Sequence, residues 1–131
     1  MYLNAQGYVY DISFSSDGKY LACVAQREVV IWRADTHPFY HHVVSLQAET
    51  QQMSLAFSQD SAYLVAAGQG ATAILYEVNS FKPLASVREA LYGVAFSPDG
   101  AMLAGAANSS ASVWDVRALV TKWQNVARNI V

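Results

Sequence analysis

Residues Tyr8 to Phe14 alternate, with Tyr8, Tyr10, Ile12 and Phe14 on one face and Val9, Asp11 and Ser13 on the other, which is the period of a β-strand. Ser16-Asp17-Gly18 then turns the chain, because Asp bonds its own backbone and Gly tolerates positive φ. Tyr20 to Val24 is apolar throughout and reads as a strand buried on both faces. The polar Gln26-Arg27-Glu28 turn leads to a third strand over Val29–Trp32. A loop at Ala34-Asp35-Thr36-His37-Pro38 precedes a fourth strand over His42–Leu46. The order then repeats. Strands are expected over Gln52–Phe57, Tyr63–Ala67, Thr72–Val78 and Leu84–Val87, with turns at Gly68-Gln69-Gly70 and Asn79-Ser80, and again over Leu91–Phe96, Met102–Ala106 and Ala111–Val116.

The repetition reaches individual positions. Phe14, Phe57 and Phe96 recur about every 40 residues, the period of a propeller blade or a similar array. Two residues before each stand Ile12, Leu55 and Val94, and directly before stand the small Ser13, Ala56 and Ala95. Asp17, Asp60 and Asp99 follow in the turn, then Leu21, Leu64 and Leu103, then an aromatic at Trp32, Tyr76 and Trp114. Large residues hold sheets together, and small ones permit close approach where inner strands converge.

Phe96-Ser97-Pro98-Asp99-Gly100 and the Trp114-Asp115 pair resemble the WD-repeat family of β-propellers, and the resemblance extends in worn form over residues 4 to 116. It implies an all-β fold of three four-stranded antiparallel propeller blades forming an open arc. The whole of 1–131 is then a single partial propeller domain: blade one 4–46, blade two 47–87, and blade three 88–116 with a tail 117–131. Trp32-Arg33 and Tyr76-Glu77 stand where the family has Trp-Asp, and Asn4-Ala5, Gln47-Ala48 and Ser86-Val87 stand where it has Gly-His. The family's buried His–Ser–Asp–Trp network is therefore missing, which leaves the blades to rest on packing alone.

The tail changes period. Val116, Leu119, Val120, Trp123, Val126, Ala127 and Ile130 fall at helical spacing and predict a C-terminal amphipathic helix; the competing assignment is the outer strand of blade three. Its Trp123-centred face docks on blade three or on another protein. Three blades do not close a ring, and stacked repeats need neighbours on both ends. The open ends call for the remaining blades of a longer propeller, a second copy closing the ring head to tail, or another covering protein.

Composition narrows the function. Hydrophobic residues make up 53% and charged residues 14%, with a net charge of −2, so no basic stripe exists for nucleic acid. No apolar run is long enough to span a bilayer. The single cysteine, Cys23, lies between Ala22 and Val24 and reads as a buried thiol; with no signal-peptide pattern at the N-terminus, the expected setting is soluble and intracellular, cytoplasm or nucleus. His37, His41 and His42 cluster, but His41 and His42 point to opposite faces of a strand and no metal site is expected. Asp17, Asp60 and Asp99 are turn formers too far apart for acid–base work, and Gly68-Gln69-Gly70 lacks the helix and Lys of a phosphate loop. No catalytic group and no cofactor are expected.

The reading is a non-catalytic protein–protein interaction scaffold, part of a larger propeller or multiprotein assembly. The alternative is a ligand-binding or enzymatic propeller whose channel site other blades or chains complete. Candidate contact residues are Tyr8, Tyr10, Gln52 and Tyr92 at strand starts, Arg27, Gln69 and Asn108 in turns of the same disc face, and Trp123 on the tail. Asp11 joins them because a carboxylate on an innermost strand is expected to face the channel water or a cation.

Overall fold

The structure, a computed structural model, describes residues 2–5, 7–36, 40–48, 50–70 and 72–129, and of residues 124–129 the backbone alone. Strands β1 (Val9–Phe14), β2 (Tyr20–Ala25), β3 (Glu28–Arg33) and β4 (His41–Gln47) form one sheet in sequential antiparallel order. Strands β5 (Ser54–Phe57), β6 (Tyr63–Ala67), β7 (Ala73–Glu77) and β8 (Pro83–Val87) form a second of the same kind. Strands β9 (Gly93–Phe96), β10 (Met102–Ala106) and β11 (Ala111–Asp115) form the third. The inner strand β5 lies between β1 and β9, so the sheets follow one another as blades of an open arc.

The third blade departs from expectation. It has three strands among the described residues, not four, because the chain passes from Asp115 straight into helix α1 (Val116–Asn129). Asp115 Oδ1 accepts the Ala118 N–H at 2.8 Å, which makes Asp115 the N-cap. No turn residue intervenes before the apolar residues begin to fall at helical spacing. Val116, expected as the last residue of a strand, is the first of the helix. Val116, Leu119 and Val120 pack back onto Ala85, Leu103 and Trp114, at the junction of blades two and three. The last two residues of the expected tail lie outside the described residues.

Each junction buries a forward face of one blade under the backward face of the next. Ala22, Val24, Val29 and Ile31 of blade one meet Leu55, Leu64, Ala66 and Tyr76 of blade two. Val65 and Leu75 of blade two meet Leu103, with Val94, Phe96 and Trp114 around it, and Ala67 and Ala73 meet Leu91. On the inner strands of blades two and three the backward positions Leu55, Phe57, Val94 and Phe96 are large, and the forward positions Ser13 and Ala56 opposite them are small. This explains why the residue before each phenylalanine is small and the one before that is large.

The two outer faces are not equivalent. On blade one, Leu21, Cys23, Val30 and Trp32 are buried under Leu3, Ala5, Ala34 and Tyr40, whereas Ile12 and Phe14 on the same face are 58% and 55% exposed. Burial pushes the Cys23 thiol above its ordinary pKa, which keeps it protonated and weakly nucleophilic. On blade three, Ala95, Ala104, Ala106 and Ala111 are exposed, and Val113 is 60% exposed.

Packing is not alone in holding the blades, contrary to the expectation from the missing family network. Each first-to-second-strand turn carries the same hydrogen bonds. Ser15, Ser58 and Ser97 donate their hydroxyls to Asp17, Asp60 and Asp99, each at 2.6 Å. The same hydroxyls accept the N–H groups of Tyr20, Tyr63 and Met102, and the carboxylates accept those of Lys19, Ala62 and Ala101. These bonds, the serine hydroxyl foremost, hold all three carboxyls below their ordinary 3.8.

One turn also reaches its neighbour. Gly18 and Gly100 both have φ +74°, and the equivalent residue in blade two is Ser61, at φ 60° despite its side chain. Its hydroxyl accepts the Asp17 N–H at 3.1 Å, across the first junction. The left-handed conformation costs a non-glycine residue roughly 1–2 kcal/mol, which this bond offsets in part.

Ser61→Ala keeps the strain and loses the bond, so a loss of about 1 kcal/mol in urea unfolding is expected, while Ser61→Gly stays within about 0.5 kcal/mol of wild type. Equal losses for both would remove the role assigned to the hydroxyl. Acid acts on all three turns. Folding lowers the three carboxyl pKa values, so the contribution is complete above about pH 4 and is lost as pH falls through the lowered folded values. The triple variant Asp17→Asn/Asp60→Asn/Asp99→Asn is expected to be less stable than wild type at pH 7 and to lose less on acidification from pH 5 to 2. Parallel pH profiles of the urea midpoint would contradict this.

Candidate functional site

The β2–β3 hairpin closes over two residues, Gln26 and Arg27, with Gln26 at φ 54°. The segment after β4 ties this turn down: the Ala48 N–H donates to the Arg27 carbonyl at 2.8 Å, and the Gln52 N–H to the Gln26 carbonyl at 2.6 Å. The Gln47 side-chain amide donates to Glu28 Oε1 at 2.7 Å. Between the turn and the β4–β5 connection lies a hollow of about 360 Å³, lined by Tyr10, Gln26, Arg27, Glu28, Gln47 and Gln51. It offers an aromatic ring, a guanidinium, a carboxylate and primary amides, a set that suits polar backbone and side-chain groups of a protein partner. Of the expected contact residues, the hollow brings together Tyr10 and Arg27.

Antiparallel pairing brings the starts of β1, β5 and β9 and all three second-to-third-strand turns to the same end of the sheets. Tyr8, Gln69, Tyr92 and Asn108 lie exposed at that end, but none lines the hollow. Gln52 is only 2% exposed; its amide donates to the Thr50 carbonyl at 3.1 Å, and it lines not this hollow but the cavity that holds Trp123. Trp123 on α1 is 41% exposed and lines a cavity of about 380 Å³ with Gln47, Gln52, Thr72, Ile74 and Ala85, so a second cavity brings together Gln52 and Trp123 and shares Gln47 with the hollow. Gln47 and Gln51 escape a reading of the sequence, since both look like loop polarity until β4 and β3 are paired. The register of Glu28 opposite Gln47 is the signal that finds the first.

Asp11 differs from expectation. It is half-buried, and both carboxylate oxygens are engaged by backbone. Oδ2 accepts the Leu55 N–H of blade two at 3.0 Å, and Oδ1 accepts the Ile12 N–H at 2.9 Å. A bulge in β1 between Val9 and Asp11 resets the register so that the carboxylate meets the next blade. The second junction repeats the device: Ser54, the counterpart of Asp11, accepts the Val94 N–H with its hydroxyl at 3.3 Å.

His41 and His42 are both exposed on β4, with His42 Nε2 at 2.9 Å from Ser45 Oγ, and His37 lies outside the described residues. Among the described residues no group of three or more His, Cys, Asp or Glu side chains is placed to hold a metal, and no helix is long and apolar enough to cross a membrane.

The family described as WD domain, G-beta repeat matches residues 2–33 and 81–115, just over half of the chain. The chain belongs to the WD-repeat family. No curated protein matches its sequence. Among solved structures it is similar to the β-propeller domain of Cps50 (Swd1) from Myceliophteria thermophila, at 25% identity and TM-score 0.74, covering 86% of this chain and 37% of that one. The RRP9 WD40 repeats match at 17% identity and TM-score 0.80, covering 89% and 38%. Hydrazine synthase of Kuenenia stuttgartiensis matches at 18% and TM-score 0.76, covering 91% and 36%. The two likenesses at 17% and 18% show the fold alone. The WD-repeat chain thus spans well under half the length of these three chains.

The stretch between the matched segments is the worn second repeat, with Gln59 and Ser61 in place of Pro98 and Gly100. This WD-repeat blade nevertheless keeps all four strands, because its serine–aspartate turn and its side-chain bonds to both neighbours remain. The clasp at Asp11 carries a measurable share. Leu55 is buried, so Asp11→Ala strands its N–H, with an expected loss of about 1–3 kcal/mol in thermal or urea unfolding. Asp11→Asn retains one carbonyl acceptor and is expected to lose less. A wild-type midpoint for Asp11→Ala would return the carboxylate to the solvent.

Proposed function

We propose that this chain is a non-catalytic protein-interaction scaffold of the WD-repeat kind, acting as part of a larger propeller or multiprotein assembly. Support comes first from the hollow at the β2–β3 turn. Tyr10 and Arg27, residue types that dominate interface energetics, stand there around a turn held in place by backbone hydrogen bonds from the β4–β5 connection. A surface fixed before binding loses little entropy on binding. Tyr8, Gln69, Tyr92 and Asn108 extend the contact along the same end of the sheets, and Trp123 offers a second, more apolar point on the rim. The open faces of blades one and three are covered by further blades.

An enzymatic or ligand-binding channel has less support. Asp11, its one charged wall, spends both oxygens on backbone N–H groups. The hydrazine synthase likeness carries fold and no chemistry to this chain. The buried, protonated Cys23 fits a reducing, intracellular setting, and the thin net charge of −2 favours proteins over nucleic acid or membrane as partners.

The double variant Tyr10→Ala/Arg27→Glu tests the reading. Proteins retained by the immobilised chain should bind at least roughly tenfold more weakly, with the unfolding midpoint unchanged, because both side chains are exposed. Undiminished retention sinks the hollow as the contact point.

A further inference from the structure

We propose that the forward face of blade three receives blade one of a second copy of this chain, and reciprocally, so that two copies of three blades close a six-bladed ring. The inference rests on the reading of the arc as an incomplete ring and names what completes it.

The first ground is shape. On the inner strands of the internal junctions, small forward positions meet large backward ones. The exposed forward face of blade three carries smaller side chains than that of blade one: Met102, Ala104, Ala106, Ala111 and Val113 stand where blade one has Tyr20, Ala22, Val24, Val29 and Ile31. The exposed part of blade one's backward face carries Ile12 and Phe14. Uncovered apolar knobs and an uncovered shallow face thus belong to the same chain.

The second ground is hydrogen bonding, and it separates a second copy from an unrelated blade. At both internal junctions a side chain three residues before the phenylalanine, Asp11 or Ser54, accepts the N–H of the residue two before the next phenylalanine, Leu55 or Val94. The third member of the acceptor series is Gly93, which has no side chain to offer. The remaining member of the donor series is the Ile12 N–H, and Asp11 Oδ1 of its own blade already satisfies it. Joining blade three to blade one of another copy therefore leaves no donor stranded. A following blade of the internal kind would bring an N–H that Gly93 cannot meet.

The third ground is the unpaired edge. Blade three ends at β11 with no fourth strand among the described residues. Leu3 stands as far before Phe14 as Leu46 stands before Phe57, and Leu46 belongs to the fourth strand of blade one. Leu3 lies on the backward face of blade one as Leu46 lies at the backward face of blade two, yet residues 2–5 belong to none of the three sheets. In a head-to-tail pair they lie beside the free edge of β11 of the other copy, in the place of its missing strand.

The test is the mass of the intact chain by native mass spectrometry and light scattering at micromolar concentration. Twice the 14.3 kDa chain mass is expected. Ile12→Asp and Val113→Asp each place a charge in both junctions, and each should weaken pairing at least roughly a hundredfold, at an unchanged unfolding midpoint of the monomer. Mixing the two variants should restore a pair, since one wild-type Val113 face then meets one wild-type Ile12 face. A monomeric wild type, open-ended higher assemblies, an effect of only one substitution, or a mixture that stays monomeric would overturn the proposal. A monomer that still binds partners through Tyr10 and Arg27 would sink the pairing and leave the scaffold reading standing.

Discussion

Each sheet of this chain is apolar on both faces, so no blade can leave water without a neighbour on either side. The two inner junctions meet that demand within the chain. They bury Ala22, Val24 and Ile31 against Leu64 and Tyr76, and Val65 and Leu75 against Leu103. The same demand shapes the ends. Residues Leu3 and Ala5 fold over Cys23 and Trp32, and α1 turns back to lay Leu119 and Val120 against the rim. Neither covering is complete, and what stays exposed is apolar.

Hydrogen bonding is layered over this packing at two ranges. The serine–aspartate turns are local: every donor and acceptor lies within five residues of its partner. They make each hairpin robust regardless of its neighbours. The clasps of Ser61, Asp11 and Ser54 span 40 residues or more and set how one blade stands against the next. A blade that has lost its Trp-Asp pair, as blade two has, keeps its geometry because both layers survive.

The blades were legible in the sequence because their causes are local. Alternation, turn residues and a repeating phenylalanine are all written along the chain, and Tyr63–Ala67 and Met102–Ala106 emerge as the pattern requires. The helix was legible from its spacing. That blade three has three strands among the described residues was harder to see, because it depends on Asp115 capping a helix rather than continuing a hairpin. The candidate site was half legible. Tyr10 and Arg27 could be placed on one end by strand direction, but Gln47 and Gln51 join them only through a register no local pattern reveals. Asp11 looked like a channel group because its partner, the Leu55 N–H, is a backbone group in another blade. Gln52 read as a contact residue because no local pattern shows that it is buried with its N–H on the Gln26 carbonyl.

The clasp at the position three before each phenylalanine has a consequence for how such chains grow. Copying blade two in tandem would repeat a serine beside an N–H that needs it, and the new junction would be as well satisfied as the old. Copying blade three would set Gly93 against a second Val94 N–H with nothing to receive it. One side chain per blade thus acts as a rule of succession, deciding which units can be duplicated in a longer array and which must be followed by a blade that satisfies its own N–H.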